Sequence, residues 1–222
     1  MGVSTSHRRC IALFGGSFDP PHNGHVALVR YFATLLVPDE VRILPAGQPW
    51  QKQDLRTAAE HRVAMARLAF SKLPVPSVID EQEVRRIGPT YTVDTLRAVR
   101  EEVGPDASLA FLMGADQLQK LDTWNDWRGL FSLAHLCVAS RPGFSFDAMH
   151  LPMPVARECT RRVASAEQIR NSAHGLIFMA TGLQVDLAAT DIRAALHSGG
   201  NAASMLPSAV LDYATQHHLY EN

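Results

Sequence analysis

Short apolar runs alternate with helical spacing along most of the chain. Cys10–Phe14, Val41–Pro45, Val75–Ile79, Leu109–Met113, His135–Ala139 and Leu176–Met179 lack the polar alternation of half-exposed strands. They predict strands buried on both faces. Apolar residues three and four apart predict helices over Val26–Leu36, Ala58–Lys72, Val93–Glu102, Trp124–Phe131, Ile192–Leu196 and Ser208–His217. Strand and helix in alternation predict an α/β fold built on a doubly wound parallel sheet. Ligands of such sheets sit at the carboxyl ends of the strands, near the point where strand order reverses. The Pro- and Gly-containing stretch Arg141–Pro154 reads as a surface loop, and the polar stretch Arg157–Ser172 as either a helix or an insert.

Composition narrows the class. The chain has 222 residues, is 46% hydrophobic and carries a net charge of −1, which suits one domain and gives no footprint for a nucleic-acid backbone. A small anion remains a reasonable partner, since local charge at a site decides its binding. Cys10, Cys137 and Cys159 are far apart and lack CxxC spacing, which predicts reduced thiols and a cytoplasmic protein. No apolar run approaches membrane-spanning length, so no membrane partner is expected. Residues 1–8 read as a disordered leader without a secretory apolar region. Met1–Ser6 fits the short myristoylation pattern, but six residues make a weak signal and the leader reading is preferred. There is no internal repeat.

The stretch Gly15-Gly16-Ser17-Phe18-Asp19-Pro20-Pro21-His22-Asn23-Gly24-His25 carries the chemistry. It lies between the first strand and the first helix, where a glycine turn and free helix N–H groups make an anion site. It is neither a Walker A loop nor the GxGxxG fingerprint. His22 and His25, three residues apart, fall on one face of the first helical turn. Phosphates arriving there are expected to favour charged imidazoles. Taken singly, each histidine would read as a cap or a packing residue; beside the glycine turn, the phosphate reading prevails. A two-histidine metal site lacks further ligands except Asp19, so no protein metal cage is expected.

These residues resemble the signature of the HxGH nucleotidyltransferase superfamily and, more narrowly, of bacterial nicotinate mononucleotide adenylyltransferases. The resemblance spans nearly the whole chain. It implies a Rossmann-like fold and transfer of AMP from ATP to nicotinate mononucleotide, with Mg2+ and release of pyrophosphate. It implies a single nucleotidyltransferase domain over 1–222, with residues 187–222 completing the ATP site.

Other segments fit the same family. Leu44–Lys52 resembles its loop after the second strand, where Trp50 and Gln51 replace a proline and a histidine while Lys52 is kept. Lys52 is either a phosphate contact or a solvated lysine. Tyr91-Thr92 resembles the segment that recognises the nicotinate carboxylate, and Thr92 also suits a helix cap. Gly114 and Asp116 resemble the family's Gly-x-Asp, with Asp116 on ribose hydroxyls or capping a helix. Trp124 resembles the tryptophan that stacks on the pyridine ring. The following position, often aromatic in the family, is Asn125, so stacking is either one-sided or completed by Trp50 or Trp127. Core packing is the preferred reading of Trp127. Ala188-Ala189-Thr190-Asp191-Ile192-Arg193 resembles a Ser-Ser/Thr-x-x-Arg motif without two of its hydroxyls, Thr190 capping a helix and Arg193 forking phosphate oxygens. His217-His218 reads as a solvated helix end.

The resemblance thus implies His22, His25 and Arg193 as the charge-stabilising set. Gly15, Gly16, Ser17, Phe18, Gly114, Asp116, Thr190 and Lys52 would join them around ATP. Tyr91, Thr92, Trp124 and Asp116 would line the acceptor site. Alternatives are a pantetheine-phosphate adenylyltransferase, a preference for nicotinamide mononucleotide, and a non-catalytic nucleotide-binding module on the same fold. Homo-oligomerisation stays open.

Overall fold

The computed structural model describes residues 8–49, 57–140, 151–183, 189–197, 200 and 202–220. Among the described residues eight strands follow in chain order: β1 Cys10–Gly16, β2 Glu40–Pro45, β3 Gln48–Pro49, β4 Ser77–Ile79, β5 Pro89–Thr90, β6 Ser108–Gly114, β7 His135–Ala139 and β8 Ile177–Ala180. The helices are α1 Asn23–Leu36, α2 Ala59–Phe70, α3 Gln82–Arg85, α4 Thr92–Val103, α5 Ala115–Leu118, α6 Met153–Arg162, α7 Ala166–Asn171, α8 Ala189–His197 and α9 Ser208–Gln216.

Six strands form one parallel sheet in the order β4-β2-β1-β6-β7-β8, and β3 pairs with β5 in a two-stranded patch. From β1 the chain winds outward through β2 to β4, then returns to β6 beside β1 and winds the other way. Strand order therefore reverses between β1 and β6, and a crevice is expected where those two strands end.

The side chains of β1 alternate between two cores. Ala12 and Phe14 join Phe32, Met65, Phe70, Ile192 and Val210 on the face covered by α1, α2, α7, α8 and α9. Ile11 and Leu13 join Leu96, Phe111, Leu118, Leu136 and Val155 on the face covered by α4, α5 and α6. Burial on both faces explains the non-alternating patterns of β1, β2, β6 and β7. The expected burial of Val75–Ile79 is not met, because β4 lies at the sheet edge and is largely exposed. Helix α1 buries Leu28, Val29, Phe32, Ala33 and Leu36, a single stripe at helical spacing. Among the described residues no helix is long and apolar enough to cross a membrane.

The structure corrects or decides the sequence pattern in three places. The expected helix Trp124–Phe131 is replaced by two 3-10 turns, Leu121–Thr123 and Gly129–Ser132. Asp126 between them has φ 42°, a left-handed conformation that breaks a right-handed helix. Arg157–Ser172 holds the end of α6 and all of α7, the latter started by a Ser165–Gln168 capping box. Helix α6 begins at Met153, inside the stretch expected to be a loop, whose residues 141–150 lie outside the described part. Arg8 donates to the carbonyl of Asp106.

Candidate active site

Strand β1 ends at Gly15-Gly16 and β6 ends at Gly114, side by side at the reversal of strand order. The chain leaves β1 through Phe18, whose φ is 48°. Such a backbone conformation costs on the order of 1 kcal/mol for a residue other than glycine. It is held by the ring, which is fully buried against Phe14, Phe70 and His25. Phe18 can therefore offer a ligand its backbone only.

His22 caps α1, and its Nδ1 accepts the backbone N–H of His25 at 3.3 Å. The Nδ1 of His25 in turn accepts the backbone N–H of His22 at 3.2 Å. The result is a capping box built from two imidazoles. Their rings stack with centroids 3.6 Å apart. With each Nδ1 occupied as an acceptor, each neutral ring carries its proton on Nε2, and both are Nε2–H donors. A second proton on either ring would displace a backbone hydrogen bond. This geometry opposes the charge gain expected from sequence.

The helix start itself is less available than its position implied. The Asn23 N–H donates to the carbonyl of Met205 at 2.9 Å, and the His25 N–H is taken by His22. Two of the first three amides of α1 thus have protein acceptors, and the imidazoles replace them as donors.

The C-terminal part reaches the same loop. Arg193 on α8 donates from Nη1 to the carbonyl of Asp19 at 2.7 Å. The Tyr220 hydroxyl donates to Asp19 Oδ1 at 2.7 Å, and Asp19 is buried. Burial pushes the Tyr220 phenol well above its ordinary range. Helix α8 begins at Ala189, so Thr190 lies exposed within its first turn, not at the cap expected for it. Leu187 and Ala188 lie outside the described residues.

On the other side of the crevice, α4 is capped by Tyr91, which makes no side-chain cap bond. Thr92, expected at that cap, is instead the first helical residue and is half-buried. The β3–β5 pairing sets Gln48 against Pro89 and Pro49 against Thr90, which joins the loop after β2 to the approach to Tyr91. Gly47 leaves no room for a side chain: a Cβ there would lie 2.0 Å from the carbonyl oxygen of Glu83. The Glu83 carboxyl accepts the Thr95 hydroxyl at 2.8 Å, and burial raises its pKa above the ordinary carboxylate value. Trp50, Gln51 and Lys52 lie outside the described residues.

Trp124 meets Phe111 edge to face at 6.2 Å, and its buried Nε1 has no hydrogen-bond partner among the described residues. Phe111 also underlies Gly15, so Trp124 and the end of β1 share a floor. Trp127 is buried in the core against Phe131, as its spacing implied. The N-cap of α5 is Gly114, so Asp116 does not cap. Its carboxylate turns back over Gly114, where a Cβ would stand 2.5 Å from Asp116 Oδ1, and it accepts from Gln117 Nε2 at 2.8 Å.

Arg62 was not singled out from the sequence. It is 2% exposed on α2, and its guanidinium donates to the carbonyls of Ser17 at 2.8 Å, Ala46 at 2.7 Å and Thr57 at 3.2 Å. A longer contact of 3.4 Å reaches the Gly47 carbonyl. Burial lowers its pKa from the ordinary arginine value. One signal was present: Arg62 shares a helical face with the buried Met65, Ala66 and Ala69.

Residues 13–195 match the family model described as cytidylyltransferase-like. A protein from Herminiimonas arsenicoxydans named probable nicotinate-nucleotide adenylyltransferase is 58% identical, over 96% of this chain and 98% of the relative. One of the same name from Laribacter hongkongensis is 47% identical over 97% and 96%. Among solved structures, the chain resembles a Plasmodium falciparum nicotinic acid mononucleotide adenylyltransferase complexed with NaAD, with a TM-score of 0.74 at 16% identity. That match covers 96% of this chain and 98% of the other. The resemblance in structure bears out the doubly wound α/β fold.

Proposed function

The chain belongs to the nicotinate-nucleotide adenylyltransferases, and we propose that it transfers AMP from ATP to nicotinate mononucleotide in NAD biosynthesis. The observation that carries this reading for the site is convergence. The imidazole pair of His22 and His25 and the guanidinium of Arg193 meet on one loop, although His25 and Arg193 lie 168 positions apart in sequence. The fold is shared with the Plasmodium falciparum protein whose complex contains NaAD.

The acceptor phosphate is anionic near neutral pH and needs no general base. One of its oxygens attacks the α-phosphorus of ATP in line; the new P–O bond forms as the bond to pyrophosphate breaks, and pyrophosphate leaves with its electron pair. The protein aligns the reactants and stabilises charge on the phosphate oxygens. In this reading His22 and His25 donate from Nε2–H as neutral rings, and Arg193 supplies the fixed positive charge. Gly15, Gly16 and Ser17 let the nucleotide approach the end of β1, and Thr190, Gly114 and Asp116 border it. Imidazole N–H, guanidinium and amide donors recognise anions. They bind the anion and not a metal, so a Mg2+ ion would enter with ATP and would supply further neutralisation of phosphate charge. We place the reaction in the cytoplasm.

Acceptor choice rests on Tyr91, Thr92 and Trp124. The amides and hydroxyl at the start of α4 suit a carboxylate, and the indole suits a pyridine ring. Initial rates with nicotinate and nicotinamide mononucleotides test this half of the site. Higher kcat/KM for the acid supports it, and equal or reversed values would reject it.

A further inference from the structure

We propose that Arg62, outside the reacting centre, is a positioning residue that sets the nucleotide-binding loop by holding carbonyls from three segments at once. The inference rests on the reading of the Gly15–His25 loop as the ATP site.

Arg62 is among the largest fully buried side chains, and its hydrogen bonds are to backbone carbonyls. Burying a cation is costly unless its donors are satisfied, so a packing role alone would be served by an apolar residue. A guanidinium has five N–H donors in a rigid plane and can bind several acceptors at fixed angles; an ammonium cannot match that geometry.

The acceptors belong to the segments that frame the crevice. Ser17 lies in the loop after β1, Ala46 and Gly47 follow β2, and Thr57 precedes α2. Ala46 and Thr57 flank the stretch that contains Lys52, so one side chain ties both ends of that stretch to the phosphate loop.

The Ser17 contact also fixes a direction. In a trans peptide the C=O of one residue and the N–H of the next point opposite ways. The only cis bond among the described residues is Asp19–Pro20, so the Ser17–Phe18 peptide is trans. With the Ser17 carbonyl drawn inward to Arg62, the Phe18 N–H is turned away from the guanidinium. The left-handed backbone of Phe18 then continues the chain toward the His22 cap. Arg62 thereby presents an amide to an anion without touching it.

Two measurements test this. In the first, wild type and Arg62→Lys are titrated with a non-hydrolysable ATP analogue and Mg2+, at a temperature where both are folded by circular dichroism. The nucleotide is expected to bind Arg62→Lys at least tenfold more weakly, while KM for nicotinate mononucleotide changes less than twofold. Equal affinity for the analogue, or equal losses for both substrates, overturns the proposal. In the second, the 15N–1H resonance of Phe18 in the wild-type chain is followed during the same titration, which does not depend on the variant folding. A marked shift is expected, and an unmoved Phe18 amide overturns it. Wild type that binds the analogue without turnover would refute the adenylyl-transfer reading and leave the role of Arg62 decided by these two results.

Discussion

Arg193 donates its Nη1 hydrogen to the carbonyl of Asp19 at 2.7 Å across 174 positions of sequence. The contact fixes a guanidinium from the C-terminal part beside the loop that carries both histidines. It also explains why a motif near the end of the chain belongs to a site announced near its beginning.

Arg193→Lys keeps a positive charge and loses the planar fork. Turnover is expected to fall about 100-fold or more, the usual effect of removing a preorganised donor to developing charge. Stability should fall by only about 1 kcal/mol, the worth of one hydrogen bond. Steady-state rates and urea unfolding measured on the same preparation check both. A loss of stability with unchanged kcat would assign Arg193 to folding alone.

The imidazole capping box makes a prediction about protons. Nitrogen NMR of selectively labelled protein should show His22 and His25 as Nε2–H tautomers at neutral pH. His22→Asn should keep the cap, because asparagine is a favourable N-cap, and lose the Nε2–H donor. Its melting temperature should stay near that of wild type while kcat falls about 100-fold. A fully active His22→Asn would rule out the donor role.

His135 gives the fold a pH dependence. Its ring is buried, Nδ1 accepts the Leu176 N–H at 3.1 Å, and Nε2 lies 3.0 Å from the Ser172 carbonyl. That arrangement suits the neutral ring, and burial pulls its pKa from 6.5 to about 4, with His174 and Arg100 acting in the same direction. A histidine whose folded pKa is depressed stabilises the fold above its unfolded value. It loses that contribution as pH falls from about 6.5 toward 4. The loss amounts to about 3 kcal/mol at roughly 1.4 kcal/mol per unit. Urea unfolding from pH 7 to 4 should show this slope in wild type and lack it in His135→Gln.

Gly47→Ala places a Cβ 2.0 Å from a backbone oxygen of α3, which cannot swing aside as a side chain would. A destabilisation of about 1–3 kcal/mol is expected from overpacking. The β3–β5 pairing transmits the shift to Tyr91, so KM for nicotinate mononucleotide should rise more than KM for ATP. Paired KM measurements check the order.

The strands were legible because burial on both faces leaves unbroken apolar runs such as Leu109–Met113, and a parallel sheet is what buries both faces. The glycine turn and its histidines were legible because their spacing is local. The 3-10 turns around Asp126 were not, since an i, i+3 pair of tryptophans fits a helix until one backbone angle turns left-handed. Thr92 and Tyr91 differ by a single position at a helix end, which sequence spacing does not resolve. Asn23 gives no local sign that its amide is taken by Met205, and Tyr220 none that it donates to Asp19; both contacts exist only after the chain has folded back. Arg62 lay on an apolar helical face, a mark that tells of burial and not of the carbonyls it would find.

The most direct test of the account is pyrophosphate release by the purified chain with ATP, Mg2+ and nicotinate mononucleotide, alongside reactions lacking one substrate. Release that requires both substrates, matched one to one by nicotinate adenine dinucleotide, is the predicted result. Folded protein that binds ATP and forms no dinucleotide would contradict it.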